Sequence, residues 1–317
     1  MKKLIKKLAL NIPLIKKYYQ SVKELRKDNE ELKRQLNNEL NNVYPSNSWH
    51  LKAQLLNYEN MLDDIDDSTN LKNRYCPLCK SEFRIFLAGG PVFVRKNSQC
   101  PNCSSMERHR MLGKFLEEKT DIFSENRNVK LLHFAPEPVF INKFKTYNNN
   151  IDYYPVDFND SLEGIREKVD IQSIPYNDEM FDFIICFHVL EHIPNDNIAI
   201  KELLRCLKRN GIAFIAVPID ENNDTTLENP EYNTPELRQK YYGQDDHVRM
   251  YGKDFPKRLE KAGFLVEYIE PNKELSNDEI KRYGLIRVEG FYICTPTPPQ
   301  RIIEYYWVIV CIKERKK

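Results

Sequence analysis

Four cysteines stand in two tight pairs, Cys76/Cys79 and Cys100/Cys103, with twenty residues between the pairs. A proline follows the first cysteine of each pair. Four thiolates spaced in this way can surround a tetrahedral zinc, and such a set leaves no position for a catalytic water. The expected role is therefore structural, with disulfides or an iron–sulfur site as the other uses of four such thiols. A second group lies in "FDFIICFHVLEHIP" (181–194), where His188, Glu191 and His192 read H-x-x-E-H. That is the spacing of the inverted zinc peptidases, which need both histidines on one face of a continuous helix. Here an aromatic and β-branched run precedes His188 and Pro194 follows, a pattern of buried strand and turn. A third group is "YYGQDDHVRMYG" (241–252), which holds Asp246, His247 and Arg249 within four residues. An acid, a base and a guanidinium together suit a polar or phosphorylated acceptor; a salt-bridged loop is the alternative.

The elements that must position these groups follow from the apolar pattern. Between the cysteine pairs, "FRIFL" and "VFVR" flank Gly89-Gly90-Pro91, a hairpin signal. Two knuckles and a hairpin make a zinc ribbon over 71–112. "SSMERHRMLGKFLEE" then starts a helix, in which Arg108, His109 and Arg110 either glue the ribbon to the next domain or contact a phosphate. From Val129 strands and helices alternate. "VKLLHFA", "IDYYPVDF", "FDFIICFH" and "IAFIAVP" read as buried strands. A helix from Pro138 carries Phe140, Phe144 and Tyr147 on one side. A second helix, capped by Asn195 or Asp196, turns Ile198, Leu203, Leu204 and Leu207 inward and closes at Gly211. This rhythm predicts an open α/β sheet, mostly parallel, with helices on both faces over 113–317. The last apolar run, "RIIEYYWVIVCIKE" (301–314), is the expected closing strand. Residues 220–251, polar and punctuated by Pro230 and Pro235, read as a lid or acceptor-binding insertion. Ligands of such sheets bind at the carboxyl ends of the strands.

Composition narrows the class. The 317 residues carry a net charge of +1, so there is no global attraction to nucleic acid. Residues 1–20 are different, with six lysines and no acid. Leu4, Leu8, Ile12, Ile15 and Tyr19 fall on one helical face. That helix lies either on an anionic membrane surface or against a protein surface. Residues 21–43 fit a heptad with Val22, Asn29, Leu36 and Val43 at a and Leu25, Leu32 and Glu39 at d. The pattern allows a short parallel homodimer or a single exposed helix. Residues 44–70 suit a linker. No secretory signal or apolar span is found, and the paired thiols suit a reducing cytoplasm, with contact at the inner face of the membrane through 1–20.

The strands and their tips carry a resemblance. "VKLLHFAPE", the acid Asp157 ending the second strand, "DIQSIPYNDEMFDFIICFHVLEHIP", "KELLRCLKRNGIAFIAVP" and "KRLEKAGFLVE" together resemble class I S-adenosylmethionine-dependent methyltransferases over roughly 113–317. The likeness is greatest to bacterial members that carry a zinc ribbon before the catalytic domain. It implies a Rossmann-like sheet whose last strand is antiparallel. It also implies a cofactor site at Phe134, Ala135, Pro136, Glu137, Asp157, Asp170, Ile171 and Phe187, with Asp170 and Ile171 bordering the adenine. The family's glycine-rich loop is absent, and "HFAPEP" stands in its place. Amides of Ala135–Glu137 at a helix start can hold a carboxylate. Asp157, twenty residues beyond Glu137, has the spacing of an acid that accepts from ribose hydroxyls. The nicotinamide fingerprint G-x-G-x-x-G is missing.

His188, His247, Asp246 and Arg249 are the expected catalytic group, with a histidine taking the proton of a hydroxyl acceptor. His192 bonds the turn, and Glu191 faces the cofactor or a cation. The acceptor expected from this set is a sugar, glycan or related polar molecule. An RNA methyltransferase that grips nucleic acid with the ribbon, and a non-catalytic scaffold with a degenerate cofactor fold, are the competing readings.

Overall fold

The computed structural model describes residues 74–89, 95–146, 150–159, 163–287 and 289–297. The basic helix (1–20), the heptad (21–43), the linker (44–70) and the run 301–314 lie outside the described residues. Among the described residues no helix is long and apolar enough to cross a membrane.

The cysteine region forms two small antiparallel pairs. Strand β1 (Arg74–Cys76) pairs with β2 (Ser81–Phe83) around the first knuckle. Strand β3 (Leu87–Gly89) pairs with β4 (Arg95–Gln99). The expected run "FRIFL" is thus divided between two ladders. Helix α1 (Glu107–Lys119) follows the second knuckle and is buried along most of its length. The boundary expected at 112/113 falls inside this helix, which serves ribbon and domain alike. A Cβ on Gly113 would come within 2.2 Å of Leu78 Cδ2, so only glycine admits the knuckle this closely.

Arg110 explains why the ribbon is fixed. It is 0% exposed, stacks over the Phe86 ring at 4.2 Å, and its guanidinium donates to four carbonyls. Two are in the ribbon, Ser98 (2.9 Å) and Ser105 (2.6 Å). Two are in the C-terminal part, Tyr283 (2.6 Å) and Gly284 (2.7 Å). Of the two roles expected for this arginine, the structure supports glue. Arg110→Ala should lower stability by about 3 kcal/mol, because buried carbonyls lose their donors. Arg110→Lys should recover little of it, since an ammonium cannot reproduce the planar fork. The midpoint of denaturant unfolding measures both.

The large sheet has seven strands in the order β10-β11-β9-β8-β5-β6-β7. These are β5 (Val129–Phe134), β6 (Ile151–Asp157), β7 (Glu167–Lys168), β8 (Phe181–Phe187), β9 (Leu207–Ala216), β10 (Phe264–Ile269) and β11 (Phe291–Pro296). Pairings β5·β6, β5·β8, β6·β7 and β8·β9 are parallel, and β11 runs antiparallel to both β9 and β10. The expected antiparallel strand is present as Phe291–Pro296; the run 301–314 lies outside the described residues. Alternate residues of β8 feed two cores. Phe183, Ile185 and Phe187 join one with α1 and helix α2 (Pro138–Thr146). Ile184 and Cys186 join the other with helices α3 (Asp196–Cys206) and α5 (Phe255–Ala262).

Helix α3 departs from the expectation at its end. Asn195 caps it by accepting from Ile198 N, as one of the two candidates. Leu207 already begins β9, so Gly211 lies in the strand and does not close the helix. The inward face is Ala199, Ile200, Leu203 and Cys206, while Ile198 is 45% exposed. The insertion 220–251 contains helix α4 (Pro235–Tyr242) and returns to the sheet edge, with Asp220 N donating to the Tyr251 carbonyl at 2.8 Å. Helices α6 (Pro271–Glu274) and α7 (Asn277–Tyr283) precede β11.

Candidate active site at the strand tips

The strand order reverses between β6 and β8 on either side of β5, the place where open α/β sheets bind ligands. Three tips meet along this edge. In register, Phe134 of β5 lies opposite Val156 of β6 and Cys186 of β8. Ala135, Asp157 and His188 therefore end neighbouring strands. Ala135 has φ +46° and His188 φ +54°. Side chains other than glycine pay roughly 1 kcal/mol for that conformation. Ala135 thus makes the turn that a glycine-rich loop would make, so the missing glycines do not prevent the bend. The backbone N–H of His188 donates to the Ala216 carbonyl at 2.8 Å, which ties this bend to β9.

Asp157 is half-buried, and its Oδ1 accepts from Asn159 N at 2.7 Å. Asp170 Oδ1 accepts from Gln172 N at 2.8 Å in a similar turn. Phe134, Ile171 and Phe187 are buried in the cores, with Phe187 packed on Phe291 at 5.8 Å between centroids. These three contribute walls and backbone. Glu137 has partners inside the protein. His109 Nε2 lies 2.9 Å from its Oε1, Arg108 Nε 3.7 Å from the same oxygen, and His133 Nε2 3.7 Å from Oε2. Burial works to raise this carboxyl, but attraction and hydrogen bonding from His109, with His133 and Arg108, hold it well below the usual range. Glu137 therefore anchors α1 to the β5–α2 turn; Ala135 N donates to the Val156 carbonyl at 2.9 Å and Pro136 has no N–H, so neither residue offers an amide to a ligand carboxylate.

The 3₁₀ turn Leu190–His192 follows His188, so the H-x-x-E-H residues do not share a helix face. The insertion 220–251 closes over this turn: Val248 N donates to the Glu191 carbonyl at 2.9 Å. His192 and His247 meet at 4.7 Å between ring centroids, and Asp246 Oδ2 lies 3.1 Å from His192 Nδ1. His188 Nδ1 lies 3.4 Å from Glu191 Oε1. His188, Glu191, His192, Asp246 and His247 thus converge. Burial pushes the His247 imidazole down, and His247 Nδ1 lies 3.0 Å from the Tyr242 carbonyl. A carbonyl only accepts, so the proton is on Nδ1.

Arg249 behaves differently from the expectation. It is 3% exposed and donates to the carbonyls of Leu190 (2.8 Å), Ile193 (2.5 Å) and Pro194 (3.0 Å), besides pairing with Glu228. It staples the turn that carries Glu191 and His192 and is not presented to an acceptor. A cleft open to solvent, with a cavity volume of about 80 Å³, lies beside His188. Its polar wall is Arg108, His188, Glu221, Asn222, Tyr268, Glu289 and Tyr292, and its apolar wall includes Val217, Pro218, Ile219 and Ile286. His247, Asp246 and Arg249 are not among its lining. Glu221 and Asn222 come three and four residues after the strand "IAFIAVP", a placement that could have identified them. Arg108 was among the residues expected as ribbon glue or a phosphate contact, whereas Tyr268 and Tyr292 come from distant elements and gave no local signal.

The four cysteine sulfurs lie within 4.8 Å of one another. Cys76 and Cys103 sulfurs are 3.6 Å apart, and Cys79 and Cys100 sulfurs 3.7 Å. A tetrahedron of thiolates around zinc has edges of about 3.8 Å, so the set fits that ion. Ser105 Oγ lies 3.3 Å from Cys76 Sγ and 3.2 Å from Cys103 Sγ, where a hydroxyl can donate to thiolates.

Residues 137–269 match the family model described as "Methyltransferase domain". These residues therefore read as a methyltransferase domain. The match starts at the β5–α2 turn and ends with β10, so it leaves out the ribbon. Similar solved structures include a SAM dependent methyltransferase from Aquifex aeolicus, at 16% identity over 57% of this chain and 87% of that one, with a TM-score of 0.37. Another is the YcgJ protein from Bacillus subtilis, at 14% identity over 59% and 96%, with a TM-score of 0.37. A third is the [4+2]-cyclase SpnF, at 17% identity over 59% and 81%, with a TM-score of 0.40. No curated protein matches the chain.

Proposed function

We propose that this methyltransferase methylates a hydroxyl of a polar acceptor, of the sugar or glycan class, held in the cavity beside His188. The observation that carries the reading is the cavity itself. It opens at the tip of β8, is walled by Arg108, Glu221, Asn222 and Tyr268, and has one exposed imidazole, 27% accessible, at its edge. Such a wall suits a molecule with many hydroxyls better than a flat base.

The strand tips fit an S-adenosylmethionine site, which supplies the methyl group when bound. In this reading the Glu137 amide at the β5–α2 turn donates to its carboxylate, Asp157 accepts from the ribose hydroxyls, and Asp170 and Ile171 border the adenine. His188 accepts the acceptor's proton as the oxygen–methyl bond forms and the sulfur–methyl bond breaks. Arg249 holds the turn behind it and acts as a positioning residue. Cys76, Cys79, Cys100 and Cys103 hold a structural zinc that keeps the ribbon, and through it Arg108, against the cavity. The burial of Arg110 on four carbonyls supports a ribbon that packs on its own domain more than one that grips RNA.

Incubating the purified chain with methyl-labelled S-adenosylmethionine and fractionated cell extract tests the reading. Label is expected in the glycan or small polar fraction. Label confined to RNA would replace this acceptor class with nucleic acid.

A further inference from the structure

The H-x-x-E-H residues hold a donor set that methyl transfer does not use. Glu191 is 1% exposed, and among the described residues neither of its carboxylate oxygens has a hydrogen-bond partner. His188 Nδ1 lies 3.4 Å from Oε1, out of hydrogen-bond alignment. His247 is also 1% exposed, and among the described residues its Nε2 has no partner. With the proton on Nδ1 toward the Tyr242 carbonyl, Nε2 presents a lone pair. One donor atom each from Glu191, His192 and His247 falls within 4.8 Å of the other two. A buried carboxylate without a donor, beside a buried imidazole with an unused lone pair, is costly unless something positive joins them. Hydrogen bonding within the protein leaves both atoms unmatched.

We propose that Glu191, His192 and His247 together bind one divalent transition-metal cation, at a site separate from the four cysteines. Two imidazoles and one carboxylate select metals of the manganese, iron, cobalt and zinc range, and three protein ligands leave further positions open. The arrangement also explains two features of the surrounding chain. The insertion 220–251 returns to the strand tip and delivers His247. Arg249, three carbonyl contacts deep in the 190–194 turn, fixes Glu191 and His192 in place, as a partner behind a metal ligand does. The cation adjoins His188 through Glu191, so it lies beside the acceptor cavity. Binding itself does not depend on the methylation reading.

The probe is Mn²⁺ added alone to the full chain, because manganese is a poor match for a four-thiolate site. Loss of the free-ion electron paramagnetic resonance signal should show one bound Mn²⁺ per chain. Spin-echo modulation on the wild-type complex should show directly coordinated imidazole nitrogen. Glu191→Gln and His247→Gln, each checked as folded by circular dichroism, should weaken binding at least about tenfold. No bound Mn²⁺, bound Mn²⁺ without nitrogen modulation, or unchanged affinity in both folded variants would overturn the site. If neither variant folds, the nitrogen signal of the wild type decides. Because turnover is not read, a chain that binds Mn²⁺ yet methylates nothing would leave this site standing and remove the proposed acceptor chemistry.

Discussion

Cobalt-substituted protein is expected to show intense thiolate-to-metal charge-transfer absorption, and the Cys79→Ser/Cys103→Ser chain is expected to lose it. The same change should lower the unfolding midpoint by at least about 10 °C, since a structural zinc contributes on the order of 10 kcal/mol. The physical reason is how little else holds the ribbon. Its ladders are three to five residues long, and short hairpins do not stand alone in water. Its apolar residues Leu78 and Phe86 belong to the same core as Met111, Leu112 and Phe115 of α1. Loss of the metal should therefore loosen α1 and the Arg110 contacts as well. Charge-transfer absorption also separates this site from any cation on imidazole and carboxylate, which has no thiolate. A wild-type cobalt spectrum without sulfur charge transfer would refute the structural-zinc assignment.

Replacing His188 by glycine should lower the methylation rate by about 10²–10⁴-fold, the contribution of a positioned base. Glycine is the informative choice because position 188 has φ +54°. It adopts that conformation without strain, so the backbone bend survives while the imidazole goes. The space left faces the open cavity, and added imidazole should restore part of the rate. Affinity for S-adenosylmethionine should change little. A variant rate within about threefold of wild type, or no response to imidazole, would exclude His188 as the base.

The parts of the fold that were legible are those where one local signal dominates. The buried run 181–187 with a polar residue at its end placed His188 at a strand tip, and Asp157 followed from the same logic on β6. Two Cys-x-x-Cys pairs gave the ribbon, because thiolate spacing reports metal geometry directly. Other features were decided by packing. "RIIEYYWVIVCIKE" is longer and more β-branched than "FYICTP", yet the strand that pairs with β9 and β10 is Phe291–Pro296. Gly211 has the look of a helix stop. It lies in β9 instead, where a Cβ would come within 3.0 Å of the Asp182 carbonyl. Arg249 read as a substrate-binding guanidinium from its neighbours Asp246 and His247. Its true partners are carbonyls of a turn far earlier in the chain, which no local pattern reveals. Glu191 was visible in the motif, but its lack of a donor emerges only when the insertion folds back over it.

The most direct test of the central claim is calorimetric titration of the full chain with S-adenosylmethionine, wild type against Asp157→Ala. If the tips of β5, β6 and β8 form the cofactor site, wild type binds one equivalent. Loss of a carboxylate hydrogen bond to the ribose then weakens binding by roughly 1.5–3 kcal/mol, about tenfold or more. Absence of binding by the wild type, or equal affinity in a folded Asp157→Ala chain, would contradict the placement of the cofactor on this edge of the sheet.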